Sequence, residues 1–345
     1  MKKNRFLTFV STSLLLLFVS NLKAQHIEQL QGSKPSSIRG LSVVDDNVAW
    51  ISGSKGYVAV TTDGGKNWAW QQVKGFGKSD FRDIEAFSDK EAIIMSSGTP
   101  ALILKTIDGG ANWKVKYTNT DTTYFFDAMD FADHQHGYIL GDPINNKFLL
   151  METKDGGETW NMFKNRPDAL PGEAAFAASG TCLRVDSENI INLVTGGSRS
   201  RWLILTDDKL VPGQWLSIDL TLTHGKPSQG AFSLANGDGT IIVGGDYQKD
   251  HIVDSVAEYW HSNDEHGRGT MRLPTKQPAG FQSCVEYISD QTFLSTGTPG
   301  SNVTIDGGKT WTKIDDVSYN VCRRAKHGKL VLLAGDKGKI AIFKM

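Results

Sequence analysis

The sequence lacks both an excess of positive charge and a disulfide framework. It contains 37 Lys and Arg residues against 38 Asp and Glu residues, so it has no strong basic field that would attract nucleic acid. Its three cysteines, Cys182, Cys284 and Cys322, are odd in number and widely spaced, unlike those of a small disulfide-bonded scaffold. We expect them to be small buried residues, and a single Cys284–Cys322 bridge stays open for an oxidising compartment.

Long apolar runs are also scarce, and the main one covers residues 6–19, too few for the ~20 residues of a membrane-spanning helix. Basic residues precede this run, and the polar residues Asn21 and Lys23 separate it from Ala24. This order predicts a signal peptide over residues 1–24 that is cleaved after about Ala24, and hence a secreted or periplasmic protein. Residues 25–345 would then form a single domain without a membrane span.

The main feature of the sequence is a repeated motif, TxDGGxxW. TTDGGKNW (61–68) is followed by TIDGGANW (106–113), TKDGGETW (153–160) and TIDGGKTW (304–311). The long interval before the last copy leaves room for two degenerate copies, which we place at 206–215 around Asp208 and at 261–273 around Asp264. A period of this length is typical of an array of structural repeats.

Each repeat also contains short apolar runs around a glycine turn, as in AWISGSKGYVAV (49–60) and VLLAGDKGKIAIF (331–343), and seven such units can be counted. Their β-branched and aromatic residues predict strands, and four antiparallel strands in about 45 residues form the blade of a propeller. The last unit stops after its third strand, whereas HIEQLQ (26–31) precedes the first unit. The sequence therefore predicts an all-β, seven-bladed β-propeller closed by pairing the N-terminal strand with the last blade.

The DGG motif itself predicts a structural turn. Its Asp can accept hydrogen bonds from amides of the same turn, its glycines tolerate positive φ, and its Trp covers the turn. Each copy carries one carboxylate on a separate blade, which does not make a catalytic pair. The predicted structural residues are Asp63, Trp68, Asp108, Trp113, Asp155, Trp160, Asp306 and Trp311.

The motif resembles the BNR or Asp-box repeat of sialidase-like propellers. The TxDGGxxW spelling, with FRDI (81–84) opening a unit, is more similar to the photosystem II stability/assembly factor family, over residues 38–343. This resemblance implies a secreted protein that binds a protein or peptide and assists assembly of an envelope complex. Some similar bacterial chains carry the name oxidoreductase, but this sequence has no G-x-G-x-x-G after a strand and no haem or flavin motif.

The antiparallel order of a blade predicts where a site would lie. The start of the first strand and the glycine turn after the second strand share one end of the channel, which we call the upper mouth. The DGG turns belong to the opposite end, the lower mouth. Arginines at the upper mouth suit a carboxylate or phosphate. The predicted contact residues are Arg39, Arg82, Asp127, Asp142, Glu173, Arg199, Arg201, Asp246 and Tyr247.

Three interpretations of these residues stay open. They could bind a protein or peptide partner, or they could simply pair with one another as solvated turn residues. They could also serve a sialidase-like glycan hydrolase, for which the resemblance implies Asp127 as proton donor and Tyr247 as nucleophile, assisted by Glu173. Against the hydrolase, the sequence has no FRIP-like element and counts seven units rather than the six of sialidases.

Other polar clusters predict solvated surface. His134 and His136 lie in a turn, and the run Arg323-Arg324-Ala325-Lys326 is short. No histidine pair has the close helical spacing of a metal site. We therefore expect neither a metal nor a cofactor, and we expect a monomer.

Overall fold

The structure is a computed structural model that describes residues 25–30, 32, 34–205, 213–262 and 269–345. The predicted signal peptide lies outside the described residues, as do Asp208 and Asp264 at the centres of the two degenerate copies. The described residues form 30 strands in seven antiparallel sheets, with two single-turn 3-10 helices. The predicted all-β, seven-bladed β-propeller is confirmed.

The first three blades each consist of four consecutive strands. After β1 (His26–Leu30), blade 1 contains β2 (Ile38–Val43), β3 (Ala49–Gly53), the 3-10 helix η1 (Ser54–Gly56), β4 (Tyr57–Thr61) and β5 (Ala69–Gln72). Blade 2 contains β6 (Asp80–Ala86), β7 (Ala92–Ser97), β8 (Ala101–Thr106) and β9 (Lys114–Asn119). Blade 3 contains β10 (Phe126–Phe131), β11 (Gly137–Ile144), β12 (Lys147–Thr153) and β13 (Asn161–Met162).

Blade 4 departs from this order, because two short strands leave it. It keeps β15 (Leu183–Val185), β16 (Ile191–Val194), β18 (Arg201–Leu205) and β19 (Trp215–Asp219). The strands β14 (Glu173–Ala174) and β17 (Gly196–Gly197) instead join blade 5, which contains β20 (Gln229–Asn236), β21 (Thr240–Asp246), β22 (Ala257–Ser262) and β23 (Gly269–Arg272).

The last two blades complete the ring. Blade 6 contains β24 (Cys284–Ser289), β25 (Thr292–Gly297), β26 (Gly300–Thr304) and β27 (Thr312–Asp315). Blade 7 contains β28 (Val321–Arg324), β29 (Val331–Ala334), the 3-10 helix η2 (Asp336–Gly338) and β30 (Ile340–Lys344). Its fourth strand is β1, which pairs with β30 from His26↔Lys344 to Leu30↔Ile340. The predicted closure is therefore confirmed.

The hydrophobic core lies between neighbouring blades. Between blades 1 and 2, Trp50 is fully buried, donates its indole N–H to the Ser88 carbonyl at 2.8 Å and meets Trp113 edge-on at 6.2 Å. Because both faces of a blade are covered, all residues of β3 and of β8 are buried. Burial on both faces explains why these segments are continuous apolar runs in the sequence.

The DGG turns join the third and fourth strands at the lower end of the blades. In the first copy the Thr61 hydroxyl donates to Asp63 Oδ1 at 2.9 Å and accepts the Gly65 N–H at 3.0 Å. Asp63 Oδ1 also accepts the Asn67 N–H at 2.9 Å. The corresponding bonds recur in the copies that contain Asp108, Asp155 and Asp306. Among the covering tryptophans, Trp68 donates to the Gly65 carbonyl at 3.0 Å.

Candidate functional site at the upper mouth

A recurring β-bulge aims side chains at the upper mouth. In blades 1, 2, 3 and 5, the pairing of the first strand with the second skips one residue near the upper end. A bulge leaves the extra residue unpaired and redirects its side chain. The skipped residues, Arg39, Arg82, Asp127 and Phe232, all line one cavity of about 530 Å³. Residues in or next to blades 1, 2, 3, 5, 6 and 7 line that cavity, together with residues of the segment that leads to blade 4, so the cavity lies on the channel axis.

The floor of this cavity is the segment 176–181, which connects β14 to β15 and which we call the plug. Arg39 Nη1 donates to the Ala178 carbonyl at 3.2 Å, and Arg82 Nη1 donates to the Ala177 carbonyl at 3.3 Å. These bonds connect the plug, which leads from blade 5 to blade 4, to blades 1 and 2 across the channel. The two arginines therefore have a structural partner in addition to facing the cavity.

The plug passes so close to other blades that it requires small residues. Ser179 Oγ donates to the Ser283 carbonyl of blade 6 at 2.7 Å. Gly180 has φ +69°, and a Cβ at this position would lie 2.1 Å from Oδ2 of the buried Asp83. The same Oδ2 accepts the Met129 N–H at 2.8 Å. Only glycine combines this backbone conformation with this approach.

One side of the cavity is aromatic. Phe176 of the plug stacks on Phe232 with ring centroids 3.8 Å apart, and Phe281 meets Phe232 edge-on at 4.8 Å. Tyr247 lies beside Phe232 and Phe281, and 48% of it remains exposed. We call these four residues the aromatic wall. Such a surface suits an apolar or aromatic group of a ligand.

The other side of the cavity is polar and contains an unsatisfied carboxyl. Asp127 is buried, and its Oδ2 has no hydrogen-bond partner within the described part of the chain. Burial raises the pKa of Asp127 well above its usual value, and the nearby Asp142 raises it further, against the opposing effect of Arg82. This environment favours the neutral carboxyl, which can donate a hydrogen bond as well as accept one.

The structure brings together some of the predicted contact residues and separates others. Those that line the cavity are Arg39, Arg82, Asp127, Asp142 and Tyr247. Outside its lining are Glu173, Arg199, Arg201 and Asp246. Glu173 and Arg201 form an ion pair below the surface, and Asp246 accepts hydrogen bonds from Gln229 and Gln248. Of the three candidate catalytic residues, Asp127 and Tyr247 therefore face the cavity, whereas Glu173 does not.

Tyr247 was predicted from the sequence to lie at the cavity, but the phenylalanines beside it were not. Phe125, Phe176, Phe232 and Phe281 line it, and each lies within a few residues of the start of a unit. Arg82 also lies 5.9 Å from the Phe125 ring centroid. The recurring phenylalanine near the opening of several units was the available signal.

The cysteines and histidines do not form a site in the described residues. Cys182, Cys284 and Cys322 are buried free thiols, with 3.7 Å between the sulfurs of Cys284 and Cys322. His134 and His136 are exposed, and each contacts a carboxylate. Within the described ranges, no group of three or more His, Cys, Asp or Glu residues could hold a metal ion.

One prediction about the lower mouth, that the run from Arg323 to Lys326 is solvated, is wrong for Arg323. The run that begins at Arg323 was expected to be solvated, but Arg323 is only 7% exposed and lines a second cavity of about 380 Å³. The reason is that Arg323 and Arg324 end β28, an inner strand, whereas a solvated run would require a loop. Lys326, beyond the strand, is exposed.

Residues 19–119 match the sequence model of the family described as Photosynthesis system II assembly factor YCF48. The chain is similar to the Ycf48 family. The resemblance predicted from the DGG repeats is thereby confirmed.

Two of the similar relatives show how far the sequence likeness extends. The photosystem II assembly lipoprotein Ycf48 of Synechococcus sp. (strain CC9902) is 27% identical over 124 residues, which make up 35% of this chain and 34% of that protein. The chloroplastic photosystem II stability/assembly factor HCF136 of Arabidopsis thaliana is 30% identical over 98 residues, or 27% of this chain and 23% of that protein. The match to Ycf48 thus spans about a third of the relative, and the match to HCF136 spans less.

Solved structures show a likeness of fold over nearly the whole chain. A structure described as YCF48 bound to D1 peptide has a TM-score of 0.65 at 16% identity and covers 94% of this chain and 96% of that one. Virginiamycin B lyase from Staphylococcus aureus has a TM-score of 0.64 at 11% identity, with 93% and 100% covered. Similar backbones thus occur in a peptide-bound protein and in a lyase, so the fold alone does not indicate the function.

No helix in the described part of the chain is long and apolar enough to cross a membrane.

Proposed function

We propose that the protein is a secreted propeller that binds a segment of a partner polypeptide at its upper mouth and assists the assembly of a complex. The observation that carries the proposal is the composition of the 530 Å³ cavity. Its aromatic wall faces arginines and a buried, unsatisfied carboxyl within one site. A peptide can contact both sides of this cavity, because it carries apolar side chains for the aromatic wall and backbone amide groups for the polar side.

The polar side has bonding capacity for such a ligand. A guanidinium carries five N–H donors, and Arg39 uses one of them, to the Ala178 carbonyl, within the described residues. Asp127 Oδ2 is buried without a hydrogen-bond partner among the described residues, so a ligand amide or carbonyl that satisfies it would be favoured over an apolar group. These groups would orient the peptide while the aromatic wall supplies most of the buried apolar area.

The comparisons support the same class of function. The relatives are named as assembly proteins of photosystem II, and one similar structure is described as bound to a D1 peptide. We infer that this chain shares the ability to bind a polypeptide segment. Its own partner would be identified by the chemistry of the cavity.

Glycan hydrolysis is the weaker candidate on this geometry. Glu173, the glutamate expected to assist the nucleophile, is held by Arg201 through two hydrogen bonds of 2.6 and 2.7 Å, and its side chain is fully buried. This carboxylate stabilises the fold through its ion pair, and it does not line the cavity that Asp127 and Tyr247 line. A carboxylate that assists the Tyr247 nucleophile of a sialidase-like site would have to come from another residue.

Selection of peptides on the purified protein tests the proposal. A phage-displayed library of random peptides is selected on the wild-type protein, and the enriched peptides are synthesised for titration by fluorescence polarisation. Because interface aromatics and arginines carry much of the binding energy, Phe281→Ala and Arg82→Gln should each weaken binding about tenfold or more.

Arg199→Gln is the matched control, because Arg199 is an exposed arginine on the same face that does not line the cavity. Its affinity should equal that of the wild type. Failure to enrich any peptide, or equal affinity of all variants, would count against the upper mouth as a peptide site. N-terminal sequencing of protein exported by the native host tests the secretion, and a start at Met1 would contradict it.

A further inference from the structure

The second cavity lies at the lower mouth, on the far side of the plug. It has a volume of about 380 Å³ and shares no lining residue with the upper cavity. The lower ends of the first strands of all seven blades contribute to it. Its charged lining residues are Glu85, Asp130, Arg184, Asp186, Glu286, Arg323, Arg324 and Lys326.

The outer carboxylates of this cavity are matched by donors from the chain itself. Glu85 forms an ion pair with Lys326, whose ammonium group also donates to the Ala86 carbonyl at 2.9 Å. Asp186 accepts the backbone N–H groups of Glu188 and Ile190 from its own turn. Neither carboxylate therefore needs a bound cation.

The two inner carboxylates are matched as well. Asp130 Oδ2 accepts the Val185 N–H at 2.7 Å. Glu286 Oε2 accepts Nη2–H of Arg184 at 2.7 Å, and Arg184 Nε donates to the Leu234 carbonyl at 3.1 Å. Each carboxylate of the cavity thus has at least one donor from the chain, and no group of three or more His, Cys, Asp or Glu residues in the described ranges could hold a metal.

Arg323 is the exception among the charged groups. Its side chain is only 9% exposed, and within the described residues its single polar contact is Nη1 at 3.9 Å from Glu286 Oε2. That distance exceeds a hydrogen bond, so the guanidinium of Arg323, which lines the cavity, has no hydrogen-bond acceptor among the described residues. A nearly buried charged donor with no hydrogen-bond acceptor among the described residues is stabilised by an acceptor from outside the chain, either water or an anion.

We propose that the lower mouth binds a small molecule that carries an oxyanion, either a carboxylate or a phosphate, on the guanidinium of Arg323. Arginine presents a planar fork that bonds two oxygens of such a group at once. Arg324, the next residue, also lines the cavity, and its one hydrogen bond within the described chain is from Nη2 to the Gly328 carbonyl at 3.2 Å. The site is independent of the peptide-binding function proposed for the upper mouth.

Calorimetric titration with inorganic phosphate and, separately, with acetate tests the proposal and distinguishes the two sources of the oxyanion. The full chain is titrated up to about 10 mM anion, with chloride adjusted to keep the ionic strength constant. Saturable binding of at least one anion is expected, and the tighter of the two identifies the class. Arg323→Gln should weaken that binding about tenfold or more, because it removes the charge and the fork.

Three further variants make the outcome decisive. Arg323→Lys retains the charge without the fork and should weaken binding less than Arg323→Gln. Arg324→Gln should have a smaller effect, because Arg324 is only half-buried and has a carbonyl partner. Arg199→Gln, on the upper face, should bind as the wild type does. If circular dichroism shows that Arg323→Gln does not fold, the affinity of Arg323→Lys for the anion tests the proposal instead.

Two results would overturn the proposal. The first is an absence of saturable binding of either anion to the wild-type protein, which would mean that water alone satisfies Arg323. The second is equal affinity of the wild type and the folded Arg323 variants, which would place any bound anion elsewhere. Peptide binding at the upper mouth is unaffected by either result.

Discussion

Arg201 holds Glu173 by two parallel hydrogen bonds, from Nε to Oε1 at 2.7 Å and from Nη2 to Oε2 at 2.6 Å. The Glu173 side chain is fully buried, and Oε2 also accepts the Leu170 N–H at 2.8 Å. Glu173 begins β14 and Arg201 begins β18, so the pair connects the strand that joins blade 5 to the body of blade 4. Its position indicates a role in the fold.

Loss of this ion pair should therefore reduce stability. Arg201→Met leaves the Glu173 carboxylate buried without its cation, and we expect a loss of about 3–5 kcal/mol in the free energy of unfolding, measured in urea at neutral pH. Asp168→Asn is the matched control, because it breaks the Lys147–Asp168 pair, whose side chains are 45% and 81% exposed. It should cost at most about 1 kcal/mol. Equal losses would contradict the assignment.

The buried carboxyl of Asp127 should give stability a dependence on pH that Asp127→Asn removes. Since burial raises its pKa in the folded state above the unfolded value of 3.8, protonated Asp127 stabilises the fold below that value. This contribution is lost as pH rises through the folded-state pKa. The free energy of unfolding of Asp127→Asn, relative to the wild type, should therefore increase from about pH 4 until the folded-state pKa is passed, and then stay constant.

Asp63→Asn is the control for this measurement, because its pKa is shifted in the opposite direction. Hydrogen bonds from Asn67 lower the pKa of Asp63 to about 2. Its contribution is present above the unfolded pKa and is lost as pH falls through about 2, so its difference from the wild type should stay constant between about pH 5 and 8. A constant difference for Asp127→Asn as well would contradict the inferred protonation.

The plug should be sensitive to a single methyl group. Gly180→Ala places a Cβ 2.1 Å from Asp83 Oδ2 in a left-handed backbone conformation, whereas Gly98→Ala has a similar conformation, φ +94°, with nothing within 4 Å. We expect Gly98→Ala to cost about 1–2 kcal/mol, from the backbone alone. Gly180→Ala should cost about 1–3 kcal/mol more because of the steric clash. Urea unfolding of both variants measures the difference, and equal losses would show that the plug moves aside freely.

The architecture could be predicted because a propeller is periodic. Each DGG turn uses local bonds, such as those among Thr61, Asp63 and Gly65, that form wherever the spelling recurs. Their spacing therefore counts blades without any knowledge of long-range contacts. The unpaired third strand at the C-terminus and the spare strand at the N-terminus then predicted the closure, since unpaired edges are unfavourable. Antiparallel order also predicted which mouth contains Arg39, Arg82 and Asp127.

The composition of the two mouths depended on tertiary structure. Glu173 and Arg201 are 28 residues apart and pair only because β14 leaves blade 4, which no local pattern indicates. Phe176 and Phe232 stack because the plug crosses the channel, and the position of Arg323 at the end of an inner strand buries it. The sequence by itself determined the number of blades, the closure of the ring and the face of each turn, because these follow from local hydrogen bonds and strand order. Only the tertiary structure decided which charges are paired and which lack a partner among the described residues, because that depends on distances between blades.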